Sequence, residues 1–214
     1  MRSRRSRGPG DDGTRQRLLA AAARTAADAG FGGATVREIC RRAGANVAAV
    51  NYHFGSKDEL LAQALRWCAS SMPEDPWFQG FTTGDARADL RLAIRAFAHR
   101  LLGAHDEWQT RLMVRAMTEP NPGLDLVVRD VVRPRLAALE RVIQALRPDA
   151  DARCRRLTAV GIVAQIAYYR VAAPLALRLV GERSIHPAFA DEVAAHVAEF
   201  TERSLASPAK ESAP

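Results

Sequence analysis

Between Thr35 and Lys57 the chain gathers side chains suited to recognition rather than to making or breaking bonds. Asn51 carries an amide that can pair with an adenine edge, and Ala48 and Ala49 are small enough to let a helix approach base edges and thymine methyls. Tyr52 and His53 can reach phosphate oxygens. Thr35 and Lys57 stand where two helices begin, so free backbone N–H groups and the positive dipole ends favour phosphate there, and the Lys57 ammonium adds a full charge. No nucleophile paired with a base, no phosphate loop and no metal motif accompanies them, which argues against an enzyme and against a cofactor. Gly30-Phe31-Gly32 superficially opens a dinucleotide fingerprint, but Thr35 stands where the third glycine belongs and a helix precedes it. The histidines His53, His99, His105, His186 and His196 offer no i, i+4 pair and no cysteine cluster with ligand spacing, so no metal site is expected.

The elements that must hold this surface can be read from the same stretch. Thr35 caps a short helix from Val36 to Ala43, and Glu38 sits three residues on, as a capping box requires. Gly44 supplies the positive φ of a tight turn, and a second short helix follows from Val47 to His53. Two short helices about a glycine turn form a helix-turn-helix over residues 36–53. Ile39, Ala43, Val47 and Val50 are spaced to pack the pair together, with Cys40 filling a small site. That packing leaves Asn46, Ala48, Ala49, Asn51, Tyr52 and His53 on the outer side of the second helix.

Helical periodicity continues along the chain, and alternating β-branched runs are missing, so the fold class is all-α. A first helix runs from Thr14 to Ala29 with Gly30 as its stop, and Ser56 caps a longer one from Lys57 to Ser71. Residues 72–85 read as a loop with three aromatics to bury. Further helices are expected over 86–103, 106–118, 122–147, 151–181 (broken near Pro174) and 187–205. The expected organisation is a disordered basic arm over 1–13, a DNA-binding domain over 14–60, a helical ligand-binding and dimerisation domain over 61–206, and a disordered tail over 207–214.

Charge position supports that division. Residues 1–57 hold eleven Arg or Lys against four Asp or Glu, whereas residues 58–214 hold twenty of each, so the whole net charge of +7 lies in the first quarter. A basic module on a neutral body fits a reader of polyanions with a separate second function. The arm's Arg2, Arg4, Arg5 and Arg7 either enter a neighbouring minor groove or are solvated. Three scattered cysteines (Cys40, Cys68, Cys154) indicate neither disulfides nor zinc and suit a reduced cytoplasm; Cys68 and Cys154 are either inert packing or oxidant-sensitive thiols. The start has no apolar segment behind a charged one, so no signal peptide is expected. The apolar stretch Leu157 to Leu177 contains Gln165, Arg170 and Pro174, which favours a buried helix over a membrane span.

The block Tyr52-His53-Phe54-x-x-Lys57 after a glycine-turned helix pair, followed by an acidic residue and Leu60-Leu61, resembles the TetR family of bacterial one-component regulators over residues 14–62. The resemblance implies that Thr35, Arg37, Val47, Ala48, Ala49, Asn51, Tyr52, His53 and Lys57 occupy positions that touch double-stranded DNA, with Tyr52 and Lys57 on phosphates; Asn46 joins these candidates from its place on the outer side of the second helix. Where a family member can place a polar reader, Val47, Ala48 and Ala49 are apolar, which leaves fewer base-edge contacts. In the body, Glu119-Pro120-x-Pro122 and Gln165-x-x-x-Tyr169-Arg170-Val171-Ala172-x-Pro174 are similar to the CecR-like subgroup.

The family further implies a homodimer, a small-molecule effector, a cytoplasmic location and most often a repressor released from a palindromic operator; an activator, or a regulator without an effector, is the alternative. Trp67, Phe78, Phe81, Phe97, Trp108, Met113, Met117, Tyr168 and Tyr169 supply bulk for an effector cavity or for plain core, with His99, Gln165 and Arg170 as its polar anchors. Leu157, Val160 and Ala164 in the uncharged stretch to Tyr169, and the stripe Phe189, Val193, His196, Val197 and Phe200 on the last helix, are the candidate dimer interface.

Overall fold

The computed structural model describes residues 9–71, 76–79, 82–103 and 106–206, and every regular element among them is helical. In chain order these are α1 (Pro9–Gly33), α2 (Val36–Ala43), α3 (Val47–Phe54), α4 (Lys57–Ser70), a 3-10 turn (Pro76–Gln79), α5 (Ala86–Leu102), α6 (Glu107–Thr118), α7 (Leu124–Val127), a π turn (Val128–Val132), α8 (Arg133–Leu146), α9 (Ala152–Val171), α10 (Ala173–Val180) and α11 (Pro187–Ala206). The expected arm at Arg2, Arg4, Arg5 and Arg7, the tail over 207–214 and Phe81 lie outside the described residues.

Two boundaries differ from the sequence expectation for definable reasons. α1 begins at Pro9, inside the stretch expected to be a disordered arm, because proline at a first helical position lacks only an N–H that would go unpaired anyway. The single helix expected over 122–147 is interrupted by the π turn, since the Pro134 ring would collide with the carbonyl four residues back and cannot donate to it.

The chain divides into two compact units, residues 1–72 with 106–132 and residues 73–105 with 133–214. The expected boundary at residue 60 therefore falls within α4, which is buried in the first unit along its length through Leu60, Leu61, Leu65 and Cys68. That unit's core joins α1, the helix-turn-helix and α4 to α6 and α7: Leu18, Ile39, Leu60, Leu65 and Leu112 are fully buried in one cluster. Burying each such side chain contributes roughly 1.5–3 kcal/mol. Leu18, Ala22 and Thr25 line the inner face of α1 as their spacing requires.

In the second unit α5 packs along α11, α8 and α9, burying Leu90, Ile94, Leu139, Ile143, Ile162 and Ile166. The aromatic loop finds its burial here: the Phe78 ring meets Phe97 edge-on at 4.9 Å, and Trp77 lies beside it. Arg91 pairs with Glu202 at 2.6 Å and Arg95 with Asp191 at 2.8 Å across the α5–α11 seam. Among the described residues no single helix is long and apolar enough to cross a membrane; α9 and α10 reach that composition only together, and they bend by 95° at their junction.

Candidate nucleic-acid interface

Each helix of the reading module is begun by a side chain suited to it. Thr35 accepts the Glu38 N–H at 3.2 Å to cap α2, Asn46 accepts the Ala49 N–H at 2.9 Å to cap α3, and Ser56 accepts the Glu59 N–H at 3.1 Å to cap α4. The Glu38 carboxylate is engaged by the Arg41 guanidinium at 2.6 and 2.8 Å, which holds it below the usual carboxylate range. Gly44 closes α2 at φ 61°, ψ 40°, a left-handed conformation that β-carbon sterics disfavour for other residues.

The inner side of the pair is formed by Ile39, Cys40, Ala43, Val50 and Phe54, all buried. Val47 departs from the packing expectation: it is 52% exposed, one helical turn from the exposed Asn51. Val47, Ala48, Asn51 and Tyr52 thus form a continuous outward face, with Tyr52 75% exposed. Thr35, Arg37 and Asn46 are also exposed, His53 and Lys57 are partly buried, and Ala49 leans against the core. The Tyr52 and His53 rings meet edge-on at 5.0 Å.

Sequence reasoning missed two supports of this surface. Asn46 is a helix cap, so its carbonyl oxygen is committed to the backbone and only its NH2 remains for DNA. Arg15 and Arg17 of α1 brace the module: Arg15 donates to Gln63 and lies over the Phe54 ring, while Arg17 donates to the Ala43 carbonyl at 3.2 Å. The basic composition of the first helix was the available signal, and partners 26 and 48 residues away are invisible to spacing.

The effector candidates divide between the units: Trp67, Trp108, Met113 and Met117 belong to the first, and Phe97, His99, Gln165, Tyr168, Tyr169 and Arg170 to the second. Within the first, Trp67, Trp108 and Met113 pack on the core and Met117 is exposed. Within the second, Phe97 is core, Tyr169 meets Phe189 edge-on at 5.6 Å, and Tyr168 is exposed. The polar anchors have structural partners. Arg170 donates to the Leu101 and Gly103 carbonyls at 2.9 and 2.6 Å and so satisfies the end of α5; burial lowers its pKa. His99 meets Asp191 at 2.7 Å, and Gln165 donates to the Gly161 carbonyl of its own helix.

The residues of the dimer stripe divide by burial. Phe189, Val193 and Val197 are buried in the second unit's own core, because that face of α11 is taken by α5 and α9, and only Phe200 (58%) and His196 remain exposed. On α9, Leu157, Val160 and Ala164 are exposed as expected, and Tyr168, Val171 and the α10 residues Leu175, Leu179 and Val180 extend the apolar surface.

Residues 18–64 match the family profile "Bacterial regulatory proteins, tetR family", and residues 86–207, more than half of the chain, match "HTH-type transcriptional dual regulator CecR, C-terminal domain". The chain is 30% identical over 142 residues to the HTH-type transcriptional dual regulator CecR of Shigella flexneri, an alignment covering 61% of this chain and 63% of that relative's length. It is 32% identical over 157 residues to the HTH-type transcriptional activator FasR of Mycolicibacterium smegmatis, covering 72% of this chain and 68% of that one. Its fold is similar to that of the transcriptional regulator FadR from Bacillus subtilis, solved with stearoyl-CoA, at a TM-score of 0.61 and 16% identity over 86% of this chain and 97% of that chain. With its capped helix pair, its exposed α3 face and a matching C-terminal domain, the chain belongs to the TetR family of DNA-binding transcriptional regulators and is not an enzyme.

Proposed function

We propose that the chain acts as a homodimer whose two α3 helices enter successive major grooves of a palindromic operator, about 34–36 Å apart along the duplex. The observation that carries this reading is the exposed face of Val47, Ala48, Asn51 and Tyr52, bounded by helix starts at Thr35 and Lys57. Asn51 is the base-edge reader, with Val47 and Ala48 making apolar contacts; Arg37, Asn46 and His53 border them, and Ala49 permits close approach. Thr35, Tyr52 and Lys57 hold phosphates. With so few polar readers, DNA shape and backbone contacts carry much of the specificity. The dimer forms through Leu157, Val160, Ala164 and Phe200, continued by Tyr168 and α10, a surface too apolar to be left in water.

An effector that binds better to a conformer with wrongly spaced reading heads lowers the DNA-competent population and releases a repressor. Stearoyl-CoA on FadR supports an effector of small-molecule size for this fold. The FasR likeness favours a second reading in which the bound protein activates transcription. Operator binding by Tyr52→Phe and Lys57→Ala tests the contacts: each weakens affinity by about 1–3 kcal/mol, as loss of a charged or polar phosphate contact does. Undiminished affinity in both contradicts them.

A further inference from the structure

Within the first unit a polar network lies where α6 meets the end of α1. Gly30 interrupts α1 at φ 77°, ψ 166°. In an unbroken helix the Phe31 N–H would bond the Ala27 carbonyl four residues back. Here the Phe31 N–H donates to the Glu119 carboxylate at 3.4 Å, and the Ala27 carbonyl accepts from Arg115 Nε at 3.1 Å. Arg115 and Glu119 close the circuit with an ion pair at 2.5 Å, and Arg115 also donates to the Asp28 carbonyl at 3.4 Å. The pair follows α1 so closely that a β-carbon at residue 30 would lie 2.9 Å from Glu119 Oε2 and 3.0 Å from Arg115 Nη1.

A second strand of the same network reaches the reading module. The Asp28 carboxylate accepts from Arg42 of α2 at 2.8 Å and from Arg111 of α6 at 3.3 Å. The Arg42 hydrogen bond holds the Asp28 carboxyl below its usual range, so this bridge is charged at neutral pH. One turn back along α1, Arg24 lies over the Trp108 ring at 4.8 Å, and the Trp108 indole N–H donates to Asp106 at 2.8 Å.

We propose that the Arg115–Glu119 pair is a positioning element for DNA recognition: it substitutes for the backbone hydrogen bond lost at Gly30, fixes the chain's entry into α2, and thereby sets where α2 and α3 stand. Its geometry distinguishes it from an ordinary surface ion pair, because both members are also bonded to the backbone of α1 at the break. The inference rests on the sequence-specific reading proposed above. Neither residue touches DNA in it; both act through α2 and α3.

The test compares affinity for a duplex selected by the wild-type protein with affinity for a random-sequence duplex of equal length. Glu119→Gln and Arg115→Lys each weaken selected-duplex binding by about tenfold and change random-duplex binding by less than about twofold, as expected for members of one network. Ile143→Val, which loosens the second unit's core, lowers stability and leaves that ratio at the wild-type value. A wild-type ratio in both clamp variants overturns the proposal, because a merely stabilising pair reduces both affinities together. Should the wild type select no sequence, the operator reading falls on its own, and amide hydrogen exchange decides the clamp. Faster exchange confined to residues 31–43 in Glu119→Gln then sustains it, and unchanged exchange there overturns it.

Discussion

Asn46 and Asn51 are the same residue type five positions apart, yet their environments separate them: the first is committed to capping α3, the second stands on its exposed face. Asn46→Ala therefore costs stability as well as any contact, about 1 kcal/mol by denaturant unfolding, whereas Asn51→Ala leaves stability near wild type and weakens binding to the selected duplex. A stability loss at Asn51 equal to that at Asn46 would show that the two roles are not distinct. The cysteines separate in the same way. Cys68 is fully buried with its thiol pushed up to about 11, burial also raises Cys40, and Cys154 is exposed at the start of α9. A thiol reagent at neutral pH labels one cysteine per folded chain quickly, Cys154, and three on unfolding; rapid labelling of Cys68 would contradict its burial. Much at this scale was legible in the sequence, since Thr35 and Ser56 precede periodic apolar runs and Val50 marks the inner face of α3; the Asn46 cap was not, because an exposed amide beside a reading helix has the same spacing in either role. His99 and Arg170 were not, because Asp191 and the α5 carbonyls that engage them lie far along the chain.

For the helices, periodicity located nearly every element but could not tell which neighbour a face would meet. The α11 stripe shows this: Phe189, Val193 and Val197 have the spacing of an interface and are used inside the chain, while the α9 and α10 face is left uncovered. Two kinds of substitution separate the roles. Val197→Ala destabilises the chain by about 1–3 kcal/mol without changing its association state, as truncation of a buried aliphatic does. Leu157→Glu places a charge on the exposed face, leaving the thermal midpoint of the isolated chain near wild type and shifting sedimentation towards monomer. A Leu157→Glu protein that sediments as wild type would remove α9 from the dimer interface. The π turn before Pro134 was partly legible, since proline inside a periodic stretch signals a break, but sequence does not say whether the break is a kink or a widened turn.

The whole molecule is organised less simply than its sequence order. The charge step near residue 57 does not coincide with the boundary between the compact units: the unit that holds the basic first quarter also recruits residues 106–132, which no local pattern signals. Acid sensitivity belongs at this scale. Arg42 holds Asp28 down, His99 and Arg95 hold Asp191 down, and Arg91 holds Glu202 down, so these carboxylates are lower in the folded than in the unfolded chain. Their stabilisation is complete above the unfolded carboxylate range near pH 4–5 and is lost as pH falls through the folded values. The thermal midpoint is therefore lower at about pH 3 than at pH 7, and an increase on acidification would contradict these pairs. With Lys57 on a phosphate as proposed, DNA affinity is expected to fall as salt rises, with a log–log slope proportional to the phosphates contacted. The central claim, that the outward face of α3 reads DNA, is tested most directly by Ala48→Glu, which adds a carboxylate in the middle of that face at an exposed helical position. Binding of this variant to the selected duplex is expected to fall by about a hundredfold or more, with its thermal midpoint and association state unchanged, as a charge repelled by the duplex requires. Wild-type affinity in Ala48→Glu would show that α3 does not lie against DNA.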